Sequence, residues 1–228
     1  MGDSLGWLGE HCYEPRGKTP GMRGGVSLTA VRGLAVQDLL RRLRARDEDT
    51  AAPRPYRDLV RTAAVRDLTP CMYGTAGEWS FVLEDHGSAT WYEWWFDDDP
   101  EVRPRPGEEM VCLNANIAVQ PCRLVYAPGD GPVRFTDFRD SPLDSSPLTD
   151  PTAKVTLLDR ALREAGAVWP DSRDFSHADD WRRFVDENAA RLPAAVWRAV
   201  GECLGIRLPR TEVERGDLPA ALLRSPFA

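Results

Sequence analysis

The chain has 228 residues, 42% hydrophobic and 29% charged, with 36 acidic against 29 basic side chains, a net charge of −7 and a pI near 5.1. That apolar share argues against disorder over the whole length, and 228 residues are ample for a packed core without disulfides or metal. No apolar run approaches the roughly 18 to 20 residues of a membrane-spanning helix, and Met1-Gly2-Asp3-Ser4 lacks a signal peptide's layout, so a cytoplasmic location is expected.

Five cysteines (Cys12, Cys71, Cys112, Cys122, Cys203) lie far apart with no C-x-x-C pair, which points to reduced, mostly buried thiols rather than a disulfide framework or a zinc site. Charge is uneven along the chain. Residues 1–69 carry 12 bases and 9 acids, residues 70–150 carry 5 and 15, and residues 151–228 are balanced. A middle third this acidic disfavours nucleic acid, which needs a basic face, and suits a basic protein partner or a small cationic or aromatic ligand.

Residues 1–25 hold seven glycines and scattered apolar residues, so an irregular N-terminal arm is expected there, with Trp7 and Leu8 as anchors. Val26–Val31 reads as a strand ending at Gly33. Val36, Leu39, Leu40 and Leu43 recur at helical spacing, and Tyr56–Val65 suggests a second, shorter helix. In GEWSFVLE, Trp79, Phe81 and Leu83 alternate with Glu78, Ser80, Val82 and Glu84, the period of a half-buried strand.

Met110–Leu113, Arg123–Tyr126 and Val133–Phe138 are further strand candidates, the last two joined by a Pro/Gly/Asp turn that signals a hairpin. Residues 141–151 are rich in Pro, Ser and Asp and read as a linker. Beyond it, three apolar stripes (Val155 to Leu162, Trp181 to Val185, Val196 to Leu204) predict helices, and Leu218–Leu223 predicts a last short one.

Three constellations could carry chemistry. Glu84, Asp85 and His86 close the Trp79–Leu83 strand, and with Glu78 they are the candidate acid/base groups, although neighbouring strand residues point to opposite faces. Trp91, Tyr92, Trp94 and Trp95, followed by Asp97, Asp98 and Asp99, form an aromatic and acidic run suited to stacking on a planar ligand or holding a cation. The acids from Asp97 to Glu109 lack the order of a calcium loop, so no metal is expected. P-loop, dinucleotide, hydrolase-elbow and zinc-protease signatures are missing, and no cofactor is expected.

Several pieces, SLTAVRGLAVQDLLRRL (27–43), GEWSFVLE (77–84), the hairpin with its Gly129-Asp130-Gly131 turn and GIRLPRTEVERGDLPAALL (205–223), resemble in this order a family of uncharacterised actinobacterial proteins catalogued as a domain of unknown function. The resemblance covers about a third of the chain, and WYEWWFDDDP departs from it. It implies an α+β fold and brings no activity with it.

The expected architecture is α+β: a 26–140 domain with an antiparallel sheet of four to six strands under the Val36 helix, and a helical section from 152 to 228 packed on or beside it. The expected function is a non-enzymatic binding protein, immunity-like or an accessory factor, that holds a basic partner through Trp91–Asp99. The alternative is an enzyme without a recognisable motif, of the kind encoded in a biosynthetic cluster, using Glu78, Glu84, Asp85 or His86 beside an aromatic pocket. Oligomeric state is not legible.

Overall fold

The computed structural model describes residues 2–14, 19–62, 68–84, 101–116, 119–138, 153–167, 170, 174–188 and 191–224. The sequence reading placed Asp85, His86, Trp91, Tyr92, Trp94, Trp95, Asp97, Asp98 and Asp99 in its candidate sites and the linker at 141–151; all of these lie outside the described residues.

The fold is α+β, built on one antiparallel sheet. In chain order its strands are β2 (Ser27–Arg32), β3 (Arg54–Pro55), β4 (Leu68–Ala76), β5 (Trp79–Glu84), β6 (Glu109–Asn116), β7 (Val119–Ala127), β8 (Arg134–Asp137) and β10 (Pro219–Arg224). They are arranged β3-β10-β4-β5-β2-β6-β7-β8, and every pairing is antiparallel. A two-stranded ribbon, β1 (Asp3–Ser4) with β9 (Arg207–Leu208), stands apart. Among the described residues the sheet has eight strands, more than the four to six expected, because β4, β10 and the two-residue β3 escape the sequence pattern. β4 carries Pro70 and Gly74, residues that read as breakers, and Gly74 serves by letting the Phe81 ring lie where a Cβ would be.

Each face of the sheet has its own core. On one face, Leu28, Ala30, Phe81, Leu83, Val111, Leu113 and Leu124 pack under α1 (Gly6–Glu10), α5 (Ala153–Glu164) and α7 (Arg191–Leu204), whose Trp197, Val196 and Val200 are fully buried. We call this the helical face. On the other, Val31, Val82, Met110, Cys112 and Val125 pack under α2 (Val36–Arg42) through Leu39, Leu40 and the adjoining Leu43. α3 (Asp47–Ala51) and α4 (Tyr56–Thr62) bridge to the β3 edge; α6 (Ala178–Asn188) and α8 (Arg210–Arg215) are the remaining helices among the described residues.

Three expectations change. β5 is not half-buried: all six of its residues are buried, because it lies near the middle of a sheet covered on both sides. The opening residues are not an irregular arm throughout, since Asp3–Ser4 and Gly6–Glu10 form β1 and α1; Trp7 and Leu8 do anchor the latter. Glycine makes this possible: α1 meets α7 so closely that a Cβ on Gly9 would lie 2.4 Å from the Pro193 carbonyl oxygen. Lastly, Leu218–Leu223 is a strand rather than a helix, with Leu222 and Leu223 turned to opposite, buried faces, so the section from 152 onward contributes to the sheet itself.

Candidate functional site

The register of the sheet aligns a row of polar side chains on the α2 face. Glu84 of β5 lies opposite Cys71 of β4 and Ser27 of β2; Ser27 lies opposite Asn114, Asn114 opposite Arg123, and Arg123 opposite Asp137. Directly paired residues share a face, and this parity is that of Val82, Val31, Cys112 and Val125. One level of an otherwise apolar surface is therefore polar across five consecutive strands, from β5 to β8 in the sheet order, with the Cys71 thiol of β4 at its inner end. The next level on the same face, Tyr73, Val82, Thr29, Cys112, Val125 and Phe135, is mostly apolar, and its Thr29 hydroxyl donates to the Cys112 sulfur at 3.7 Å.

Burial grades along the row. Cys71, Glu84 and Ser27 are fully buried, Asn114 is 5% exposed, and the Arg123 and Asp137 side chains reach 26% and 15%. The Arg123 Nε donates to Asp137 Oδ2 at 3.0 Å, closing the outer end with an ion pair. The Ser27 Oγ, by contrast, has no hydrogen-bond partner, nor does the Tyr73 hydroxyl in the next level. A buried hydroxyl without a partner forfeits its hydration for nothing, roughly 1–3 kcal/mol, so native proteins seldom keep one without a reason. Cys71 is unsuited to be a nucleophile, since burial, with Glu84 beside it, raises its thiol well above the usual value.

A second buried polar group lies on the helical face and differs in kind. Glu109 of β6 accepts from the Arg32 guanidinium and from the Tyr126 hydroxyl, and the Lys154 ammonium of α5 lies 3.5 Å away while donating to the Pro128 carbonyl at 2.8 Å. The Arg32 guanidinium sits over the Trp79 ring, 5.2 Å from its centroid, and the Trp79 Nε1 donates to the Leu204 carbonyl at 2.9 Å. Burial and then the Glu109 hydrogen bond push the Tyr126 phenol up, holding it as a donor. Each of these groups has a partner, and together they join β2, β5, β6, β7, α5 and α7.

Glu78 and Glu84 were read as members of one acid/base set, and the structure does not bring them together. Glu78 sits in the turn before β5, 81% exposed and 3.6 Å from Arg32, while Glu84 ends that strand fully buried. At ~3.3 Å per residue they stand about 20 Å apart. Glu84 is also the last described residue before segment 85–100. Ser27, Asn114, Arg123 and Asp137 were missed. The available signal was a polar residue set inside an apolar strand, Ser27 in GVSLTAV and Asn114 in VCLNAN, which has meaning only once the pairing partners are known.

Two clefts lie on the described surface. One, about 730 Å³, opens between the β1–β9 ribbon and the β4–β5 turn, with Asp3 and Glu212 balancing Arg207 and Arg210. The other, about 360 Å³, lies at the end of α2 and is rich in arginine. Among the described residues there is no group of His, Cys, Asp and Glu able to hold a metal ion, and no helix long and apolar enough to cross a membrane. Comparison with family models, with curated proteins and with solved structures found no match to this chain.

Proposed function

We propose that this chain is a binding protein without catalytic activity, and that the polar row is the floor on which it holds a cationic group, either of a small ligand or of a basic partner. The observation that carries the reading is the unpartnered, fully buried Ser27 hydroxyl in the middle of that row. The row brings two carboxylates, Glu84 and Asp137, together with one guanidinium, Arg123, in a chain that is acidic as a whole, which favours an ammonium or guanidinium over an anion. The gradient of exposure sets the direction of approach, from the β8 edge inward. At the far end the chain runs from Glu84 directly into its most acidic and aromatic sequence, Asp85 to Asp99, so the expected binding segment is continuous with the floor.

The test uses spermidine and a short arginine-rich peptide as probes, reading the shift each causes in the thermal unfolding of the full chain. A ligand at a hundred times its Kd stabilises by about 2.7 kcal/mol. Ser27→Ala should raise the stability of the unliganded protein by about 1 kcal/mol, because it removes an unpaired polar group, while reducing the shift produced by the probe. Asp137→Asn should reduce that shift without raising stability. A wild type that responds to neither probe, or a Ser27→Ala protein that is less stable and responds fully, would sink the reading.

A further inference from the structure

We propose that the cleft between the β1–β9 ribbon and the β4–β5 turn binds a short peptide with free ends, a zwitterion recognised by its carboxylate and its ammonium. The site is separate from the polar row and independent of the function proposed for it. The first observation is how the cleft is built. Three segments far apart in the chain wall it: Asp3 of β1, the β4–β5 turn at Gly77, and the run from Gly205 through Arg207, Arg210 and Glu212. At Gly77 and Gly205 an added Cβ would meet nothing within 4 Å, so bare backbone borders open space there, a surface suited to the peptide groups of a ligand. The volume of about 730 Å³ is that of a small-molecule site and is more than a single amino acid fills.

The second observation is the state of the charges that line it. Arg210 donates through its Nε to Glu214 Oε1 at 3.0 Å, and its guanidinium lies over the Trp7 ring, 5.4 Å from the centroid. Those two contacts orient the group and leave its terminal nitrogens without an acceptor among the described residues. The Trp7 indole, 4% exposed, also buries an Nε1 that has no partner, so donors outnumber acceptors around Arg210. A carboxylate supplies the missing acceptors in the geometry that a forked guanidinium matches. Asp3, Arg207 and Glu212 are exposed, and none of the three takes part in an ion pair among the described residues. A bare anion in the cleft meets Asp3 and Glu212, and a bare cation meets Arg207 and Arg210. A molecule that carries both signs answers each set with its opposite and avoids the like-charge contact.

The test is isothermal titration of the full chain, at fixed ionic strength, with trialanine, N-acetyl-trialanine, trialanine amide and alanine. Trialanine should bind most tightly. Acetylation removes the ammonium and amidation the carboxylate, and each should weaken binding at least tenfold; alanine, which fills little of the cleft, should lose as much. Arg207→Gln and Asp3→Asn should each weaken trialanine at least fivefold while leaving the melting temperature of the free protein unchanged, because both side chains are exposed and pair with nothing. Any one of four results would overturn the proposal: no heat from trialanine beyond dilution, equal affinity for the two capped forms, alanine as tight as trialanine, or trialanine binding unchanged in both variants. Loss of trialanine binding in the variants at an unchanged melting temperature supports it.

Discussion

The two faces of the sheet each bury a polar group, and they do so to different ends. On the helical face, Glu109 is surrounded by Arg32, Tyr126 and Lys154, and each member answers another. On the α2 face, the Glu84-to-Asp137 row ends in an ion pair on the outside and an unpartnered hydroxyl within. A satisfied network fixes the position of the layers it joins, whereas one that keeps an unfilled hydrogen bond holds capacity in reserve. The contrast is between these two groups rather than between whole faces, since Trp7 and Trp197 on the helical face also bury an Nε1 without a partner.

Breaking the satisfied side should give the largest effect. Glu109→Ala leaves two cations and a phenol without their buried anion, and should cost about 3–5 kcal/mol in urea unfolding. A loss under 1 kcal/mol would mean the network is decoration. A finer comparison sets two tyrosines against each other. Tyr126→Phe removes a donor to a carboxylate and should cost about 1.5–3 kcal/mol, while Tyr73→Phe removes a hydroxyl that bonds nothing and should be neutral or stabilising by up to about 1 kcal/mol. Equal losses at both positions would erase the distinction between the faces.

The smallest effect is one of pH and concerns Glu108. Burial by itself would raise its pKa, but the hydrogen bonds from Arg42 and the Arg105 N–H, with both positive charges, bring it below the ordinary 4.5. The unfolded chain therefore takes up this proton first as pH falls. The stabilisation is complete above pH 4.5 and is lost as pH drops through the folded value. The stability difference between wild type and Glu108→Gln should accordingly shrink on acidification from pH 6 to pH 3.5, measured by urea titration, and a difference constant with pH would rule this out.

Much of the fold was legible in the residues, for a physical reason that also explains the misses. α2, α5, α6 and α7 announce themselves by spacing, because one side of each meets solvent and the other a core. β5 was visible by alternation, but alternation implies a wet face, and here the second face is also covered, so Ser80 and Glu84 are inside. Ser80 compensates locally by donating to the Leu34 carbonyl at 2.6 Å. β10 was misread because Ala-Ala-Leu-Leu consists of strong helix formers, and only pairing with a segment far away in sequence overrules that preference. The polar row was invisible for the same reason: its residues are neighbours across strands, and register is a property of the folded sheet.

The position of β10 has a consequence for synthesis. Leu223 pairs with Thr69, about 150 residues earlier, and β3 reaches the sheet only through β10. While the chain is being made, the outer edge of β4 stays unpaired until the strand at 219–224 has left the ribosome, and an exposed strand edge recruits other chains. Loop closure over that separation is also slow. Production of this protein should therefore depend on whatever shields nascent chains in the cell, and translation that stalls before residue 219 should yield aggregates rather than a partly working protein.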